Sequence, residues 1–70
     1  MVFRPTTRVS RKEEKTRPIL IIEDEKDIVD LIGYHVKQAG FSVVEALDGA
    51  SGLERARKDR PALIILDLML

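Results

Sequence analysis

Hydrophobic positions along this chain fall into three short runs and two periodic stretches. Ile19-Leu20-Ile21-Ile22 is wholly apolar, without polar alternation, and runs straight into Glu23-Asp24-Glu25. Such a run suits a strand buried on both faces, as in a parallel sheet under helices. A second run, Ala62-Leu63-Ile64-Ile65-Leu66, ends in Asp67. Phe41-Ser42-Val43-Val44-Glu45-Ala46 alternates enough for an edge strand over 41–46. Ile28, Leu31, Ile32, Val36 and Ala39 recur at i, i+3, i+4, i+8 and i+11. That spacing predicts a helix over 26–39 with those residues on its inner face, flanked by Val29 and His35. Gly40 is placed to end it, where positive φ is tolerated. Gly33 costs the helix about 1 kcal/mol against alanine and would permit close packing on the sheet. A second helix is expected over 50–58, with Ala50, Leu53 and Ala56 or Arg57 inward. Asp48 is its expected N-cap, and Pro61 stops it.

Strand, helix, strand, helix, strand, joined by short turns, is a βαβαβ unit. Right-handed crossovers put the two helices on opposite faces if the three strands lie in the order 2-1-3. That order buries the first strand on both sides, as its sequence demands. It also opens a crevice at the strand carboxyl ends, where open parallel sheets bind ligands.

Composition divides the chain. Residues 1–17 hold six basic and two acidic residues, about +4, while 18–70 carry about −4, so the net charge of zero hides an asymmetry. The first segment, with Pro5, Thr6 and Thr7, reads as a basic, disordered N-terminal arm, apart from a short helical turn that Ser10-Arg11-Lys12-Glu13 could cap. Contact with nucleic acid or an anionic surface is the alternative reading of its charge. Residues 18–70 then form the single domain. There is no cysteine, hence no disulfide framework or thiolate metal site. No apolar run approaches the roughly 20 residues of a membrane span, and no secretory signal follows the basic start. The expectation is a cytoplasmic protein with no membrane partner.

The chemistry is expected at the strand tips. Neighbouring strands lie about 4.8 Å apart, which would bring Glu23, Asp24 and Asp67 close together. Carboxylates so placed repel unless a cation or protons intervene. Hard oxygen ligands suit Mg²⁺, and a carboxylate can accept a phosphoryl group as an aspartyl phosphate. No Gly-rich P-loop and no G-x-G-x-x-G follow the first strand, which argues against nucleotide triphosphatases and dinucleotide enzymes. A haloacid-dehalogenase-type phosphatase would want a second Asp where Met69 stands.

At these residues the chain resembles the first part of a response-regulator receiver domain, of the OmpR/PhoB-like kind that heads DNA-binding regulators. The resemblance rests on residues 19–25, the Asp48-Gly49 turn, and Leu63-Ile64-Ile65-Leu66-Asp67-Leu68-Met69-Leu70, and it covers 18–70. It implies a partial flavodoxin-like (CheY-like) fold in two-component, phosphorelay signal transduction. Asp67 matches the phospho-acceptor, and Asp24 the acid that ligates Mg²⁺ directly. Glu23 matches its neighbour, which acts through water, and Met69 the position whose backbone carbonyl completes the metal site. The implied partner is a sensor histidine kinase, with another receiver domain as a second candidate. The receiver catalyses only its own phosphorylation and is not otherwise an enzyme.

The strand-end Thr or Ser and the Lys that such domains carry in their fourth and fifth strands do not occur after Asp67 in this sequence, nor does a DNA-binding domain. The competing expectation is therefore an inactive truncated fragment that acts, if at all, as a protein-interaction module. On this reading the outer edge of the third strand is apolar and unpaired, a template for aggregation. His35 has no partner at ligand spacing and reads as a packed or rim residue. Tyr34, Asp27 and Asp30 read as exposed scaffold.

Overall fold

A computed structural model of the chain describes residues 2–3 and 16–67. Six elements occur in the order β1 (Val2–Phe3), β2 (Ile19–Glu23), α1 (Lys26–Gln38), β3 (Val43–Ala46), α2 (Gly49–Asp59) and β4 (Leu63–Asp67). They form one sheet in the order β1-β4-β2-β3. β2 pairs in parallel with β3 on one side and β4 on the other. The three-strand order read from the sequence is thus present, with β3 at an edge.

β2 is buried along its whole length, because strands flank it and helices cover both its faces. Leu20, Ile22 and Ala46 form a core on one face, joined by Val44, Ile64, Leu66 and Ala56 of α2. Strand alternation sends Ile21, Val43 and Glu45 to the other face, where they lie next to Gly33 of α1.

Apolar periodicity places the inner faces only in part: Ile28, Ile32 and Val36 of α1 and Ala56 of α2 are half-buried as it predicts, but the most buried residues of each helix lie beside them. In α1, Val29 and Gly33 are buried, while Leu31 is 59% exposed. In α2, Gly52 is buried and Ala56 half-buried, while Ala50 and Leu53 face solvent. In α2 the cause is close approach. A Cβ on Gly52 would stand 2.8 Å from Ile22 Cγ1, so α2 lies against β2 through its smallest residue. Periodicity weighs residue size, but the contact is made where size is least. His35 is exposed on the rim, its ring edge-on to exposed Tyr34, with centroids 5.5 Å apart.

Local signals for the helix ends hold. Gly40 has φ +95°, and the amides of Gly40 and Phe41 donate to the carbonyls of Lys37 and Val36 at 3.0 and 3.3 Å, a Schellman closure. Asp48 caps α2 by accepting from the Ser51 amide at 2.8 Å. α2 ends at Arg60, which takes a left-handed conformation at φ 48°.

The expected open edge of β4 is corrected. Val2 and Phe3 pair antiparallel with Ile65 and Ile64. The helical turn expected near Ser10 and the remainder of the arm over 4–15 lie outside the described residues, as do 68–70.

Candidate site at the carboxyl ends of β2 and β4

The parallel ladder between β2 and β4 runs from Ile19↔Leu63 to Glu23↔Asp67. It is extended at its start by the Ala62 amide donating to the Pro18 carbonyl at 2.9 Å. Both strands therefore end together, and their acids share one rung. Asp24 follows Glu23 in the turn to α1. The predicted juxtaposition of the strand tips is present in the backbone register.

The acids are not equivalent. Glu23 is 2% exposed, and its Oε1 accepts from the Glu25 amide at 3.1 Å. The Glu25 carbonyl in turn accepts from the Ile28 and Val29 amides, both at 3.1 Å, at the start of α1. Glu23 thus buttresses the β2–α1 turn, a role that sequence reading missed because nothing in its type or spacing distinguishes it from Asp24. Asp24 and Asp67 are exposed. Glu23 titrates above its ordinary 4.5. The largest cause is a side-chain hydrogen bond with Asp24, and desolvation and the charges of Asp67 and Asp24 add to it. The Glu25 amide opposes the rise.

Among the described residues, no three His, Cys, Asp or Glu side chains stand together as a ready metal cluster. The donor set nevertheless fits a hard divalent cation. It is all carboxylate oxygen, with Glu23 and Asp67 on one rung of adjoining strands and Asp24 next in the chain. The fourth expected ligand, the Met69 carbonyl, lies outside the described residues.

An ion-pair bridge the sequence did not disclose lies beside the site. Lys26 Nζ reaches Asp30 Oδ1 at 2.8 Å and Glu45 Oε1 at 3.0 Å. Asp30 holds the ammonium above its ordinary 10.5, and Glu45 adds to the rise. The Asp30 pair is legible as i,i+4, but the Glu45 pair requires β3 to sit beside β2. A cleft of about 590 Å³ opens there, lined by Lys26, Glu45, Asp48 and Arg55 among others. None of Glu23, Asp24 and Asp67 lines it.

Among the described residues, no helix is long and apolar enough to cross a membrane. The family model for the response regulator receiver domain matches residues 19–70. The chain is 41% identical over 54 residues to the alkaline phosphatase synthesis transcriptional regulatory protein PhoP of Bacillus subtilis, an alignment covering 77% of this chain and 22% of that protein. It is 46% identical over 52 residues to the DNA-binding dual master transcriptional regulator RpaA of Synechocystis, covering 74% of this chain and 22% of that protein. The chain thus spans about a fifth of the length of these curated relatives. No solved structure matches it significantly. Receiver domains are regulatory modules of phosphorelay signalling rather than classical enzymes, and they generally bind Mg²⁺ at the phosphorylation site. With the matched span covering most of its length, and with the acidic strand ends in shared register, this chain belongs to the response regulator receiver domain family.

Proposed function

We propose that the chain accepts a phosphoryl group on Asp67 from a sensor histidine kinase, with Mg²⁺ required. Residues 18–70 are, on this reading, the N-terminal part of a receiver domain working in the cytoplasm, preceded by a basic arm over 1–17. The observation that carries it is the Glu23↔Asp67 rung, which puts an exposed carboxylate at a strand tip beside two further acids. An Asp67 oxygen would form the new bond to phosphorus as the donor's bond breaks and the leaving group takes the electron pair. Exposure leaves that oxygen open to approach, and the rigid β2–β4 ladder fixes where it stands. Asp24 and Asp67 would hold Mg²⁺ directly, Glu23 through water, and Met69 by its carbonyl. The bound ion supplies positive charge against the acids and the arriving phosphoryl oxygens. Glu23, anchored on the Glu25 amide, keeps the β2–α1 turn and therefore Asp24 in position.

The test is incubation with Mg²⁺ and a small-molecule phosphodonor, read by intact mass. The expected result is gain of one phosphoryl group, absent in Asp67→Asn and without Mg²⁺. No gain in a sample with a folded circular-dichroism spectrum would leave the alternative: an inactive truncated receiver that binds its kinase or another receiver without accepting phosphate.

A further inference from the structure

Asp24 is exposed, yet the chain on either side of it is tied down. On the inner side, buried Glu23 accepts from the Glu25 amide at 3.1 Å. On the outer side, Lys26 Nζ reaches Glu45 Oε1 of β3 at 3.0 Å. Glu45 is the ladder partner of Ile21. Residues 21–26, the Ile21↔Glu45 rung and the ion pair therefore close a ring, with Asp24 in its middle. Local helix chemistry disfavours a lysine here. Lys26 opens α1, where the helix dipole favours an acid. Glu25 caps α1 without a side-chain hydrogen bond, so the turn is shaped by what its neighbours reach. The Asp30 contact, at 2.8 Å, steadies the Lys26 ammonium but stays within α1. Glu45 connects that ammonium to the sheet.

We propose that Lys26 and Glu45 are positioning residues for Asp24, holding the β2–α1 turn so that its carboxylate stands ready for Mg²⁺ beside Asp67. The inference rests on the Mg²⁺ reading of these acids given above. Neither Lys26 nor Glu45 is a ligand. Their effect passes through the backbone of residues 24–26, which the ring holds in one place. Charge alone would act otherwise. Loss of the Lys26 ammonium would strengthen the binding of a nearby cation, and loss of the Glu45 carboxylate would weaken it. A clamp needs both halves. Losing either one weakens binding alike, and losing both adds nothing further.

The test is calorimetric titration of the whole chain with Mg²⁺, for the unaltered protein, Lys26→Met, Glu45→Met and the double variant, each with its helix content checked by circular dichroism. Both single variants are expected to raise Kd about two- to fivefold, the reach of an exposed ion pair, and the double variant no further. Lys26→Arg keeps the pair and is expected to hold Kd near the unaltered value. Where a methionine variant loses helix content, Lys26→Gln and Glu45→Gln carry the same comparison. Tighter binding by Lys26→Met, additive losses in the double variant, or a Kd that none of the variants changes overturns the proposal while the Mg²⁺ reading stands. Absence of Mg²⁺ binding by the unaltered chain, or binding that Asp24→Asn leaves as it was, overturns that reading and this inference together.

Discussion

Glu23 and Asp67 are paired residues on the last rung of the β2–β4 ladder, yet Glu23 is buried and Asp67 exposed. The rung separates two roles. Glu23 is turned back into the chain and holds the Glu25 amide, whereas Asp67 remains open to a partner from solution. The strand tip is therefore built with its strain on the buried side.

That strain has a pH signature. Because Glu23 titrates above 4.5 in the folded chain, the folded state binds the more protons between 4.5 and the raised value. Its contribution to stability is then fully present below pH 4.5 and is lost as pH rises through the folded value. Glu23→Gln removes this dependence while keeping an acceptor for the Glu25 amide. The melting temperature of Glu23→Gln relative to the unaltered chain should climb from below pH 4.5 to neutrality. A flat difference across that range would contradict the assignment.

A divalent ion should relieve the same crowding. Thermal melts at neutral pH are expected to shift upward with Mg²⁺ and to return with a chelator. Saturation at ~100 times Kd corresponds to about 2.7 kcal/mol of added stability. The shift should shrink in both Asp24→Asn and Asp67→Asn. Equal shifts in all three chains would place the ion elsewhere.

The two helix glycines should respond oppositely to alanine. A Cβ on Gly33 meets its nearest neighbours, Glu45 Oε2, Val43 Cγ1 and Ile21 Cδ1, at 3.7 to 3.9 Å, ordinary contact distances. Gly33→Ala is therefore expected to stabilise by about 0.5–1 kcal/mol through helix propensity. A Cβ on Gly52 collides with the Ile22 side chain, including Cγ1 at 2.8 Å. Gly52→Ala should cost ~1–3 kcal/mol, as overpacking does. Denaturant midpoints of the two variants check the sign of each.

The ends of α2 offer a further pair. Asp48→Ala removes the acceptor of the Ser51 amide and should cost ~1 kcal/mol, the usual worth of an N-cap. Arg60 carries a Cβ at φ 48°, where L residues are strained by roughly 1–2 kcal/mol. Arg60→Gly should therefore raise stability, net of glycine's greater unfolded-state freedom. A lower melting temperature for Arg60→Gly would show that its side chain contributes more than its backbone conformation costs.

Much of the site was readable because its placement follows from backbone rules. The apolar character of 19–22 called for strands on both sides of β2, and parallel pairing then aligned the ends of 19–23 and 63–67. Asp48 and Gly40 announced their caps by type and position alone. The burial of Glu23 could not be read this way. Glu23 and Asp24 are adjacent acids, and only the course of the β2–α1 turn decides which of them is enclosed.

The sequence by itself determined the order of the elements from β2 to β4, the central strand, the helix ends and the shared end of the two acid-tipped strands. These depend on local chemistry and on a period of two or 3.6 residues, which a linear text carries in full. Tertiary structure decided which side of each helix meets the sheet, that Lys26 joins Glu45, and that Val2–Phe3 covers β4. Each of these depends on how closely two distant segments approach. Gly52 sets that distance for α2, and a glycine shows no preference for the core until a neighbour is pressed against it.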